Sequence, residues 1–320
     1  MRKAKQTEKK AVQMTRQQGY HEGGHGEAYA FQGFTENYLL TSDRKVKLNE
    51  RFERADGKPL KGYGLEIEVE CGSIKNNDIL SEVIEKLCVS ELPSGLFKYQ
   101  RDGSLGGYGR SATEAITQVM TKEAVRNNYP GFRHMWEYFE ALGISATETG
   151  NCGMHVNISN ACFGQTEATQ AEAIRKLYYI VNHHYTVMCC LFNRRTDCTT
   201  YCGQMYADKD YCKTLDLHHM DGSHGNSFNG SHYDAGRIEI RLVGGQKNFA
   251  CFRNTMEVVF HLVEAVKRLS WTDVDDITKV FKGANAHVID RCEKAKNEGY
   301  LTWSEYDAIR ESGTGEVIYR

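Results

Sequence analysis

The chain has 320 residues, 40% hydrophobic and 26% charged, with a formal net charge of -2. These values suit a soluble globular protein of one large or two small domains and exclude a generally basic chain built to coat nucleic acid. Pro59, Pro93 and Pro130 mark out no proline-rich linker, and the most apolar run, Leu177 to Phe192, is broken by Asn182, His183 and His184 well short of the ~20 residues of a membrane span.

The start is basic, with Arg2, Lys3, Lys5, Lys9, Lys10 and Arg16, and passes into a polar, glycine-rich stretch from Gln17 to Gly26. Such a segment buries too little apolar surface to offset its ordering entropy, so residues 1–58 are expected to form an arm, partly packed from Tyr29 to Leu40. Contact with nucleic acid is expected, if anywhere, through this basic run. No apolar stretch follows the first charges, which predicts a cytoplasmic protein. In that setting the 11 cysteines read as reduced thiols. Cys198 and Cys202, with Cys212, His218 and His219 nearby, leave structural zinc as an alternative, although the short paired spacings of zinc sites are missing. Cys189 and Cys190 lie in an apolar helical run and read as core.

Gly64 to Glu70 alternates Leu65, Ile67 and Val69 with Glu66, Glu68 and Glu70, the period-two pattern of a half-buried strand. Carboxylates two residues apart on one face stand roughly 7 Å apart. At an effective dielectric near 20 they repel by about 2.4 kcal/mol. A solvated edge strand relieves that repulsion in water, whereas a strand lining a cleft calls for a cation, and hard divalent metals take oxygen ligands.

An amphipathic helix is predicted over Asp78–Val89, followed by an Asp-Gly turn in Gln100-Arg101-Asp102-Gly103-Ser104-Leu105. Helices are expected over Thr117–Arg126 and Gly131–Leu142. Asn151 to Ser159 alternates again, with Met154, Val156 and Ile158 on one side and His155 and Asn157 on the other. Thr166 is a plausible N-cap for a long helix to about Phe192. Arg194 and Arg195 then either complement its C-terminus or reach phosphates. The polar stretch Thr196–Tyr233 is long enough to be a lid or binding segment. Gly236 to Gly245 is a fourth strand, with Ile238, Ile240 and Leu242 opposite Arg237, Glu239 and Arg241. A helix over Asn248–Leu269 and short helices with a capping signal at Ser304 complete the chain.

Strands with one polar and one aliphatic face, separated by helices, predict an α+β protein: an antiparallel sheet with helices on one face and an open cleft on the other. The open face collects Glu66, Glu68, His155, Glu239 and Arg241, a set that suits magnesium or manganese and the phosphates such ions carry. The chain has neither a P-loop nor a Rossmann fingerprint.

Gly-x-Glu-x-Glu, Asp-Gly-Ser-Leu, Cys-Gly-Met-His-Val-Asn and Arg-Ile-Glu-Ile-Arg, in this order over about residues 60–270, resemble the amidoligase family of carboxylate–amine ligases. The resemblance implies a glutamine synthetase-like curved antiparallel sheet, with a catalytic domain over 59–272 and a C-terminal helical extension over 273–320. It implies ATP and magnesium or manganese as cofactors, with Glu66, Glu68, Glu114, His155 and Glu239 as metal ligands. Arg241, Glu68 and Asp102 would be catalytic, and Arg194, Arg195, Arg241 and Ser104 would contact nucleotide. The implied reaction phosphorylates a carboxylate and passes the acyl group to an amine, on small molecules, peptides or proteins. Asn157 stands where the family commonly has histidine, Ala115-Ile116 replaces a Ser-Pro element, and Gly244-Gly245 replaces Gly-Thr. Two alternatives share the fold: phosphoryl transfer to nitrogen, as in guanidino kinases, and a binding or assembly protein without catalysis.

Overall fold

The computed structural model of the chain describes residues 36–49, 53, 54, 56–74, 76–88, 91–100, 105, 111–146, 152–196, 202–220 and 225–319. The basic run at the start, Asp102, Ser104 and Cys198 lie outside the described residues. In chain order come β1 (Tyr38–Leu40), β2 (Lys45–Lys47), β3 (Tyr63–Cys71), α1 (Asn77–Cys88), β4 (Phe97–Gln100), β5 (Ser111–Thr117) and β6 (Val119–Met120). The middle holds α2 (Lys122–Asn127), α3 (Tyr129–Leu142), β7 (Ile144–Ser145), β8 (Met154–Ser159), α4 (Glu167–His183) and α5 (Tyr185–Leu191). Then follow α6 (Lys209–Thr214), β9 (Phe228–Asn229), β10 (Arg237–Ile240), α7 (Phe249–Arg268), α8 (Ile277–Val280), α9 (Ala286–Asn297) and α10 (Trp303–Ser312).

The strands form one mixed, mostly antiparallel sheet of 10 strands, in which β1–β6 is the parallel pair. Strand β3 is its hub, bonded to β5, β6, β7 and β8. From there the antiparallel path continues through β8 to β10 and β9, and through β5 to β4. Tyr38–Leu40, inside the stretch expected as an arm, extends the sheet through β1.

The aliphatic face of β3 behaves as its alternation predicts. Leu65, Ile67 and Val69 are buried in one continuous core with Phe260 and Val263 of α7. Each such side chain contributes about 1.5–3 kcal/mol by leaving water. Tyr63 meets Phe260 edge-on at 4.8 Å. The same core takes in Phe281, Val288 and Ile309, so the helices after residue 272 pack with the rest. Glu257 of α7 is also buried there and fully partnered. It accepts from Arg126 at 2.9 and 2.6 Å, from the Tyr129 hydroxyl at 2.8 Å and from Asn285 Nδ2 at 2.8 Å. One carboxylate thereby pins α2, α3 and the start of α9 to α7.

Several boundaries differ from the sequence reading. The helix expected from Thr117 begins at Lys122, where Thr121 accepts from the Ala124 N–H as N-cap. Residues 111–117 and 119–120 are strand instead, because Ala115 pairs with Ile67 on the core face and the branched Thr113, Ile116 and Thr117 suit a pleated surface. Thr166 does cap α4, in a reciprocal box with Thr169, but the helix breaks at His184, which bonds through Nε2 to the Val274 carbonyl at 3.0 Å. The last cap is Thr302 with Glu305 rather than Ser304. Part of the long polar stretch is ordered as α6 and β9.

Candidate metal centre

Strand register assembles the polar face. Glu66 lies opposite His155, and Glu68 lies opposite Glu114. Glu239 lies between Asn157 on β8 and Asn229 on β9. The side chains on this face are themselves withdrawn from water: Glu68, Glu114, His155 and Glu239 are only 5%, 7%, 7% and 4% exposed. Arg194, just beyond α5, reaches the same strands. Its Nη2 donates to the carbonyls of Arg241 at 3.3 Å and Val243 at 3.0 Å. A Cβ at position 153 would stand 2.8 Å from that nitrogen and 3.4 Å from Glu68 Oε2, so Gly153 is what lets arginine and glutamate approach.

Within the cluster, His155 Nδ1 donates to Glu66 Oε2 at 3.1 Å and lies 3.3 Å from Glu239 Oε1, while Nε2 lies 3.8 Å from Glu68 Oε1. Arg241 Nη1 donates to Glu239 Oε1 at 2.8 Å. Asn157 Nδ2 donates to Glu66 Oε1 at 2.8 Å, and Gln100 Nε2 to Glu114 Oε2 at 3.0 Å. The Gly153 N–H donates to Glu68 Oε2.

Burial works against charge throughout, and the partners decide which groups keep it. Burial pushes Glu66 up, but the His155 bond and charge, the Asn157 amide and Arg241 outweigh it and bring Glu66 down to about 2. Burial pushes Glu114 up as well, and there the Glu66 and Glu68 charges add to it, so it rises to about 7 against the Gln100 bond. Burial disfavours the His155 imidazolium, yet the Glu66 bond and the Glu68 and Glu239 charges overcome burial and Arg241 and raise its pKa. In the absence of metal the surrounding carboxylates thus favour the charged form of His155.

Two groups of ligating atoms share that imidazole. Glu66, His155 and Glu239 form one, Glu68, Glu114 and His155 the other, with the atoms of each within 4.8 Å of one another. Carboxylate oxygens with one imidazole are a donor set for magnesium or manganese. Beside them, Arg194 Nε and Arg241 Nε are buried with no hydrogen-bond partner among the described residues. A guanidinium N–H left in this way is a donor of the kind an oxyanion can take, although Arg291 Nε, outside the cluster, is left in the same way.

The structure therefore brings together Glu66, Glu68, Glu114, His155, Glu239 and Arg241 and sets Arg194 against them, while Arg195 is exposed. Among the described residues no cysteine joins a metal-ligating group, and Cys202 and Cys212 are buried core. Glu70, at the end of the carboxylate row, is buried opposite Ala112 and Ser145. Sequence reasoning missed Gln100, Asn229 and Arg237. Arg237 Nε donates to Asn157 Oδ1 at 3.0 Å, and Asn229 Nδ2 donates to Glu239 Oε2 at 2.9 Å. Arg237 carries a signal, being two residues before Glu239 on the same strand face; Gln100 and Asn229 acquire their partners only through register. No protein-family model matches the chain, and no curated protein sequence matches it.

Proposed function

We propose that this cluster is the nucleotide-handling centre of an ATP-dependent carboxylate–amine ligase, which forms an amide through an acyl phosphate. The observation that carries the reading is the pair of ligand groups sharing His155, with two unpartnered guanidinium nitrogens beside them. Magnesium or manganese held there would neutralise phosphate charge, the main requirement of phosphoryl transfer.

The chain's own residues supply the rest. Glu66, Glu68, Glu114, His155 and Glu239 hold the metal, with Glu239 steadied by Arg241 and Asn229. Arg241 and Arg194 each keep a buried Nε–H for a phosphate oxygen, and the exposed Arg195 is not needed for that contact. The reaction moves the γ-phosphoryl group of ATP onto a substrate carboxylate, releasing ADP; attack by an amine then expels phosphate. Burial strengthens each of these charges and keeps water from the acyl phosphate. The resemblance gives Asp102 a catalytic role and Ser104 a nucleotide contact; both lie outside the described residues.

Purified protein is expected to turn over ATP with magnesium only when a carboxylate and an amine are both present, using panels of amino acids and short peptides. Glu68→Gln and Glu239→Gln should each abolish turnover, and persistence in both would overturn the reading. A phosphorylated nitrogen product without amide would move the activity to guanidino-kinase-type transfer. Absence of magnesium-ATP binding by calorimetry would leave a binding protein.

A further inference from the structure

Arg194 reaches the proposed centre from the end of a helix rather than from the sheet, so strand register does not place it. Helix α5 ends at Leu191, and Asn193 turns the chain in the left-handed region at φ 58°. Asparagine tolerates that region better than most residues, because its short amide bonds to nearby backbone. The turn is closed by the Asn193 N–H on the Cys190 carbonyl at 3.1 Å and the Arg194 N–H on the Cys189 carbonyl at 2.8 Å. The Gly244 N–H then donates to the Phe192 carbonyl at 2.9 Å, which ties the turn to the segment after β10.

The Asn193 side chain makes two further bonds. Its Nδ2 donates to the Gly245 carbonyl at 3.0 Å, and its Oδ1 accepts from Lys294 Nζ of α9 at 3.2 Å. A lysine only donates and a carbonyl only accepts, so the amide has a single orientation. Lys294 Nζ also lies 3.7 Å from Glu298 Oε1. A second route from α9 reaches the same segment. Buried Arg291 donates through Nη2 to the Thr255 hydroxyl at 2.9 Å, and that hydroxyl donates to Gln246 Oε1 at 3.1 Å. Gln246 Nε2 in turn donates to the Gly244 carbonyl. Helix α9 thus holds Gly244–Gln246 through two routes, although it lies beyond the stretch, about residues 60–270, that carries the family resemblance.

We infer that Asn193 is a positioning residue for Arg194, and that α9 is a working part of the centre because Lys294 acts on Arg194 through Asn193. Arg194 Nη2 is committed to the carbonyls of Arg241 at 3.3 Å and Val243 at 3.0 Å, which leaves Nε for an incoming phosphate oxygen. With both ends of the arginine held, little freedom remains to be lost when the anion arrives. A glycine at 193 would still allow the turn. It would delete both side-chain bonds and loosen the backbone next to Arg194. Hydrogen bonds weaken steeply with misalignment, so that loosening should appear as lost anion affinity. The inference rests on the nucleotide reading above.

The test is calorimetric binding of magnesium-ATP to the full chain, with thermal melts to show that each variant folds. Asn193→Gly is expected to weaken binding about tenfold, the scale of one hydrogen bond to a charged group. Lys294→Met, at a side chain 40% exposed, should fold and weaken binding about threefold. Arg194→Met should itself cost about tenfold. In the Arg194→Met background the other two substitutions should each change affinity less than about twofold, because the group they act through is gone. A merely structural role would instead carry the same loss into both backgrounds. Equal losses in the two backgrounds, or unchanged affinity in both Asn193→Gly and Lys294→Met, overturn the inference and leave the ligase reading standing if the natural chain binds magnesium-ATP. Failure of the natural chain to bind it overturns both.

Discussion

Glu68 and Glu114 are register partners on adjacent antiparallel strands, and both are buried. Like charges directly opposite destabilise a sheet, and burial together with the Glu66 and Glu68 charges is what lifts Glu114 to about 7. Glu114→Gln is therefore expected to stabilise the metal-free protein by about 1 kcal/mol. The same change should weaken manganese binding by about tenfold. Urea unfolding and a manganese titration check the two effects; a less stable metal-free variant would mean the carboxylates are not opposed.

The Glu257 network gives the opposite sign. Arg126 holds this buried carboxylate with two bonds, at 2.9 and 2.6 Å. Arg126→Met leaves a buried charge with only Tyr129 and Asn285, at an expected cost of about 3–5 kcal/mol. Tyr129→Phe should cost about 1–2 kcal/mol. Urea midpoints indistinguishable from the parent would remove the network from any structural role.

His261 predicts a pH dependence. Burial, with Arg268 and Lys122 nearby, takes its pKa down from 6.5 to about 4, against its bond to the Val280 carbonyl. The folded state then binds fewer protons than the unfolded state between those values. Stability from this group is complete above the unfolded value and falls as pH drops from 6.5 toward 4. The loss reaches at most about 3 kcal/mol. His261→Gln should flatten the slope over that window in thermal melts, and an unaltered slope would rule the histidine out.

Two glycines separate backbone from side-chain clashes. A Cβ at Gly245 would stand 1.6 Å from the Ala146 carbonyl oxygen, which moves only with the backbone, whereas at Gly153 the nearest atom is the end of Arg194. Gly245→Ala should cost about 3 kcal/mol or more and Gly153→Ala about 1 kcal/mol. Denaturation of the two variants should keep that order.

Most of the centre was legible because period-two alternation is a local property. Glu66, Glu68, His155 and Glu239 can each be placed on a polar face without knowing which strand neighbours which. Glu114 was harder, since Thr113 to Met120 mixes helix and strand formers and its face is settled only by pairing with β3. Gln100 and Asn229 were illegible, because nothing local distinguishes an amide aimed at a carboxylate from one aimed at water. The break at His184 was missed because it involves no proline or glycine; the side chain there bonds a carbonyl 90 residues away. The approach of Arg194 was invisible too, since it reaches the cluster from outside any strand.

The strands of the polar face are written far apart along the chain, and β10 comes last among them. During synthesis Glu66, Glu68 and Glu114 leave the ribosome before His155, and Arg194 and Arg241 follow later still, while domains settle from their N-terminal side first. A nascent chain halted after β5 thus carries three carboxylates on its central strands and none of the cations that neutralise them. Completion of the polar face therefore waits on the arrival of β10.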